Sequence, residues 1–177
     1  MKYLFPLGKF FTLPLLLFTW FCMQATAQNF STKGTDFWTT FTPNEGYTGL
    51  SVYISSDIDT KGNISIPLET YTQDFIVTAG TTLKMDLPQL EAVTDLADVV
   101  MKRGIHITAE DSVSVYILNY QQYTADATIV YPTSTLGKDY FVMGFNSLSG
   151  FAYPSQFVIV GTQNNTEVEI TPSSATT

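Results

Sequence analysis

From Asn29 onward, short apolar runs that alternate with polar residues recur about every ten positions, divided by Gly, Pro, Asn, Asp or Ser/Thr. The runs are residues 36–41 (DFWTTF), 50–55 (LSVYIS), 62–66 (GNISI), 74–78 (DFIVT) and 82–87 (TLKMDL), then 140–145, 156–160 and 167–171. The densest stretch lies between them, at residues 104–132. There Ile105 and Ile107 alternate with His106 and Thr108, and Val113, Val115 and Ile117 alternate with Ser114 and Tyr116. Period-2 alternation is the mark of half-buried strands. Many short β-branched and aromatic runs at this spacing predict an all-β fold, a two-sheet antiparallel β-sandwich. The polar triplet Ala109-Glu110-Asp111 reads as a tight connection, which makes residues 104–119 a central hairpin. Residues 127–131 then form a third strand stopped by Pro132. Trp38, on an alternating strand near Phe41, is expected in the core. Residues 89–101 carry a loose 3.6 period after Pro88 and are expected to give one short helical turn at most, or a polar crossover.

The N-terminus sets a boundary. Lys2 and Lys9 form a basic head, residues 10–21 an apolar run, and Ala25-Thr26-Ala27 a small-x-small cleavage site. This predicts a signal peptide over residues 1–27 with Gln28 as the mature start. A bilayer span needs an uncharged run of about 18 apolar residues or more, and Lys9 and Gln24 bound this one too closely. No membrane insertion is expected after cleavage. Cys22 is the only cysteine, so the mature chain forms no internal disulfide. Trp20-Phe21 before it are too bulky for a lipoprotein signal. Residues 28–33 are a lead-in, 34–172 one domain, and 173–177 a Ser/Thr-rich end or linker. With its last apolar run so near the terminus, the sandwich is expected to be incomplete there and the chain the front part of a longer protein.

Charge narrows the partners. The chain has 8 basic and 16 acidic residues for a net charge of −8, and loss of Lys2 and Lys9 takes this to −10. Nucleic-acid binding relies on phosphate neutralisation by Lys and Arg, so nucleic acid is excluded. An extracellular protein or glycan fits the secreted surface.

Chemistry-bearing motifs are sparse. Asp57-Ile58-Asp59-Thr60-Lys61-Gly62 begins like a calcium loop, but Lys61 and Leu68 stand where oxygen ligands are needed. It reads as a polar turn. His106 is the only histidine and belongs on the outer face of its strand. Glu110 and Asp111 are adjacent and diverge, so they make no acid pair for glycoside hydrolysis. No catalytic residue, cofactor or metal ligand is named, and the chain is read as no enzyme. The best candidate surface is the loop at residues 120–126, with Tyr120, Gln121, Gln122, Tyr123 and Asp126 as ligand-binding residues. Tyrosine supplies flat apolar area with a polar tip, and amides beside it fix orientation. Asp126 also reads as a turn cap, and Tyr116 and Tyr120 have a packing alternative. Ser112, in Asp111-Ser112-Val113, matches a short O-glycosylation pattern. Asn63-Ile64-Ser65 and Asn164-Asn165-Thr166 match the N-glycosylation pattern.

The same stretches resemble a family. Gly34-Thr35-Asp36-Phe37-Trp38 with Phe41 and Pro43-Asn44 is similar to the opening of the IgGFc-binding protein N-terminal domain family. So are residues 50–56 and 62–67, Gly104-Ile105-His106-Ile107-Thr108-Ala109 with Val113-Ser114-Val115-Tyr116, and Thr124-Ala125-Asp126-Ala127 with Pro132 and Leu136-Gly137-Lys138-Asp139-Tyr140. The resemblance covers roughly residues 34–172. It implies an extracellular recognition or adhesion module, here a bacterial, Bacteroidetes-like secreted member, toward mucus glycoproteins or immunoglobulin Fc. Two alternatives remain: a structural matrix domain of a larger surface protein with no specific ligand, and a fragment of a glycan-processing enzyme.

Overall fold

The computed structural model describes residues 31–44, 49–145 and 155–173. The proposed signal peptide, its cleavage site and residues 174–177 lie outside them. Seven strands form: β1 Lys33–Thr39, β2 Gly49–Ser56, β3 Thr60–Ile66, β4 Tyr71–Val77, β5 Thr82–Leu87, β6 Ile105–Tyr120 and β7 Ala125–Val130. A single helical turn, α1 Gln89–Ala92, and a 3-10 turn at Thr133–Thr135 accompany them. The fold is all-β in character, as the alternation predicts. Its strands belong to one seven-stranded antiparallel sheet, folded on itself, where two separate sheets were expected.

Strand β6 explains the shape. Its first half pairs with β3 on one edge and β1 on the other, and its second half pairs with β2 and β7. Each edge of β6 thus carries two shorter strands end to end. Strand β4 extends the sheet beyond β3, and β5 extends it beyond β2. Strand β4 also lies against β2 and β5, so two arms close over one apolar layer.

The arms meet at a crease, and the polar triplet lies in it. Residues 109–111 do not reverse the chain; β6 runs through them without a break. The expected hairpin is one sixteen-residue strand. Between Gly34↔Val113 and Asp36↔Thr108 the register slips, setting four β6 residues against one of β1. Such a bulge bends a strand without ending it. The connections at residues 57–59 and 78–81 fall at the same level and are bonded to it. Asp111 N–H donates to Thr60 Oγ1 at 3.1 Å, Ala79 N–H to Asp59 Oδ1 at 2.7 Å, and Gly80 N–H to the Ser56 carbonyl at 2.9 Å. Lys33 pairs with Asp57, and Lys61 with Glu110 at 3.1 Å. The calcium-like motif is therefore occupied by turn bonding. Gly62 sits where the crease is tightest: a Cβ there would lie 2.1 Å from the Thr108 carbonyl oxygen and 2.4 Å from the Phe75 ring.

One face of the whole sheet is buried. Phe37, Val52, Ile54, Ile64, Ile66, Ile105, Ile107, Val113 and Val115 are its most enclosed side chains. Phe41, Ala92 and Val93 close one end. There Thr94 N–H donates to the Phe41 carbonyl at 2.8 Å, and Arg103 bonds the Val93 carbonyl and Asp95. Trp38 is not in the core. Phe37 and Thr39 take the inner positions on β1, and Trp38 falls on the outer face, only partly buried. The apolar runs at residues 140–145, 156–160 and 167–171 form no strands among the described residues. They join no ladder of the sheet, and Phe141, Met143 and Phe145 stay exposed. A strand needs a partner for its backbone groups, and among the described residues these runs pair with no strand of the sheet.

Candidate binding face

Strand alternation sends every second side chain of the two arms outward, and the two outer faces differ. On the first arm, His106 lies opposite Trp38 and Ser65 in the ladders, one step along from Asp36 and Asn63. The Trp38 and His106 rings stack at 4.2 Å and 11°. His106 Nε2 meets Asp36 Oδ2 at 2.7 Å. Burial pushes the Asp36 carboxyl up, but the nearby Thr133 hydroxyl and His106 outweigh it and hold the group below its ordinary value. Asn63 Nδ2 donates to Thr72 Oγ1 at 2.9 Å and Asp74 Oδ1 at 2.7 Å. This face is bonded within itself.

On the second arm, Tyr53 lies between Lys84 and Tyr116, and Ser51 between Asp86 and Leu118. Ser51 Oγ donates to Asp86 Oδ1 at 2.7 Å, and Lys84 Nζ to the same oxygen at 2.8 Å. These two bonds, Lys84 first, hold the Asp86 carboxyl below its ordinary value, and Asp86 in turn raises Lys84. Tyr120 stands opposite Gly49, which has no side chain. A depression of about 460 Å³ opens there, lined by Ser51, Tyr53, Lys84, Asp86, Leu118 and Tyr120 among others.

The loop named from sequence is shorter than expected. Tyr120 ends β6 and Ala125 begins β7, so the connection is residues 121–124, closed by Gln121 N–H to the Thr124 carbonyl at 2.9 Å. Asn44 braces it: its Nδ2 donates to the Thr124 carbonyl at 3.2 Å, and Thr124 Oγ1 donates to Asn44 Oδ1 at 2.6 Å. Tyr123 projects from the tip, 88% exposed, beside exposed Gln122. Asp126 lies within β7, opposite Asn119, and caps no turn. Asn119 is an inward position, so Asp126 and Tyr120 belong to opposite faces. The structure brings Tyr120 together with Tyr53, Lys84 and Asp86, and parts it from Asp126. Tyr116 is half-exposed on the outer face rather than core. Ser112 is exposed in the crease, while the Asn63 side chain is engaged by Thr72 and Asp74. Tyr53, Lys84, Asp86 and Ser51 escaped the sequence reading. Their alternation along β2 and β5 is visible, but the pairing of two strands distant in sequence is not.

Among the described residues no group of three or more His, Cys, Asp or Glu could hold a metal ion. Among them, too, no helix is long and apolar enough to cross a membrane. No curated protein matches the chain. A solved structure, the crystal structure of Thermotoga maritima 1070, is similar at 17% identity and a TM-score of 0.39, over 56% of this chain and 94% of that one. The family described as IgGFc binding protein matches residues 126–177, from β7 onward, so the earlier stretches that resemble it lie outside the match.

Proposed function

We propose that the chain is a secreted or cell-surface binding module without catalytic activity, which recognises an extracellular protein or glycoprotein. The observation that carries this is the second arm: tyrosines held half-exposed on a sheet, next to the segment that matches the IgGFc binding protein family. Side chains fixed on a rigid scaffold bind with little loss of conformational freedom. Mucus glycoproteins and immunoglobulin Fc are the ligand candidates that the family likeness suggests. On this reading residues 1–27 are removed before Gln28, residues 34–172 form the domain, and Ser112 carries a glycan. Tyr120, Gln121, Gln122 and Tyr123 are the proposed contacts at the hairpin end, with Asp126 at its far side.

Protein and glycan arrays probed with the purified chain test the proposal. Selective binding that weakens in Tyr123→Ala and Gln122→Ala is expected. Binding to nothing on either array would favour a structural, matrix-building role, which the exposed Phe141, Met143 and Phe145 also suit. Mass spectrometry of the exported protein tests cleavage: an intact Met1 end would sink it.

A further inference from the structure

We infer that the depression on the second arm is a subsite for a neutral hexopyranose, an assignment that rests on the binding-module reading above. A pyranose has an apolar C–H face and an edge of hydroxyls, each both donor and acceptor. The depression offers the complement of both. Tyr53 and Tyr120 stand on its walls with Leu118 between them, giving flat apolar area with hydroxyl tips. Gly49 opens the floor beside Tyr120. Asp86, Lys84 and Ser51 supply the polar edge.

The polar edge is set in advance. Ser51 and Lys84 both bond Asp86 Oδ1, so the carboxylate is oriented while Oδ2 keeps its accepting capacity. Lys84 has two further N–H donors beyond the one it gives to Asp86. A carboxylate acceptor next to an ammonium donor matches two vicinal hydroxyls of a sugar ring. The volume of about 460 Å³ falls within the range of small-ligand clefts.

Charge selects the class. Lys84 and Asp86 neutralise each other, so the depression offers neither an excess cation for a carboxylate or sulfate nor an excess anion for an amine. The chain carries a net charge of −8, which further disfavours sialylated and sulfated sugars. A neutral, hydroxyl-rich ring is what remains.

The test is an array of galactose-, glucose- and N-acetylhexosamine-terminated neutral oligosaccharides beside sialylated and sulfated ones, run with a glycoprotein before and after enzymatic removal of its glycans. Binding to neutral glycans is expected, lost at least about tenfold in Tyr53→Ala, Tyr120→Ala and Asp86→Asn. Tyr53→Phe, which keeps the ring, should stay within about threefold. Gly49→Val fills the floor; among the described residues a Cβ there meets the Tyr120 Cβ alone, at an ordinary contact of 3.9 Å. Gly49→Val should therefore abolish sugar binding with the thermal melt unchanged. Binding restricted to acidic glycans, or unchanged in Tyr53→Ala and Gly49→Val, would overturn the subsite. Glycoprotein binding that survives deglycosylation would overturn it too, yet leave the binding module standing. No binding to any sugar or protein would overturn both.

Discussion

The two arms share one strand, one buried face and antiparallel pairing, yet their outer faces are built differently. On the first, Asp36, His106 and Trp38 engage one another, and Asn63, Thr72 and Asp74 do the same. On the second, Ser51 and Lys84 bond one carboxylate oxygen of Asp86, and tyrosines stand beside a depression. A polar surface whose groups already have partners gains little from a ligand, because each new bond replaces an old one. Polar content alone does not mark a site; on the proposed reading, flat apolar area beside a fixed carboxylate does.

Stability should separate the inner from the outer face most clearly. Phe37→Ala should cost about 3–5 kcal/mol in urea unfolding, since the ring is fully enclosed. Trp38→Ala, one residue on and outward, should cost less than about 2 kcal/mol. A reversed order would mean that β1 is assigned the wrong way round.

The crease that divides the arms comes next. Gly62→Ala should destabilise by about 3 kcal/mol, because its nearest neighbour is a backbone oxygen that cannot swing away. An unchanged unfolding midpoint would remove the tight crease.

Acid should act on the arms differently in salt. Asp36 and Asp86 are both held below the ordinary carboxyl value of 3.8. Their contributions are therefore full above that value and are lost as pH falls through their lower folded values. Asp86 is the more exposed, with 68% of its side chain open against 44% for Asp36. In about 0.5 M salt the Asp86 contribution should fade, leaving Asp36→Asn as the change that still flattens the melting temperature between about pH 5 and 2. Equal salt sensitivity of the two carboxyls would blur the comparison.

The smallest effect sharpens it most. Tyr116→Ala should shift stability by no more than about 0.5 kcal/mol, as for an exposed site. A larger loss in thermal unfolding would make Tyr116 a packing residue, and the second outer face less open than described.

Much of the architecture was legible in the sequence, including the all-β class, the single helical turn and the outward His106. The crease was legible in part. Ile105, Ile107, Val113, Val115 and Ile117 keep one odd-numbered phase, as a continuous strand demands, and Ala109-Glu110-Asp111 lacks the Gly or Asn of a tight turn. Polarity alone made the triplet look like a reversal. Trp38 was not decidable, since β1 has apolar residues in both phases and the sheet chose Phe37. Residues 140–171 have strand-like composition, but composition carries no record of whether a partner edge is free. The depression was hidden for a related reason: Lys84 and Asp86 reach Tyr53 and Ser51 only through pairing across distant sequence.

The doubly paired β6 has a kinetic consequence. Strands β1, β2 and β3 all pair with a segment made later, and Asp36 finds His106 seventy residues on. Before β6 arrives, β3 with β4 is the one ladder that sequence neighbours among the first five strands can close. Loop closure over such distances must be met before any contact repays it, so refolding should take roughly milliseconds to seconds. Stopped-flow refolding in microseconds would contradict this. Until β6 is made, the β3–β4 and β2–β5 ladders have no strand to join them, so the sheet becomes one body only when its last long strand arrives.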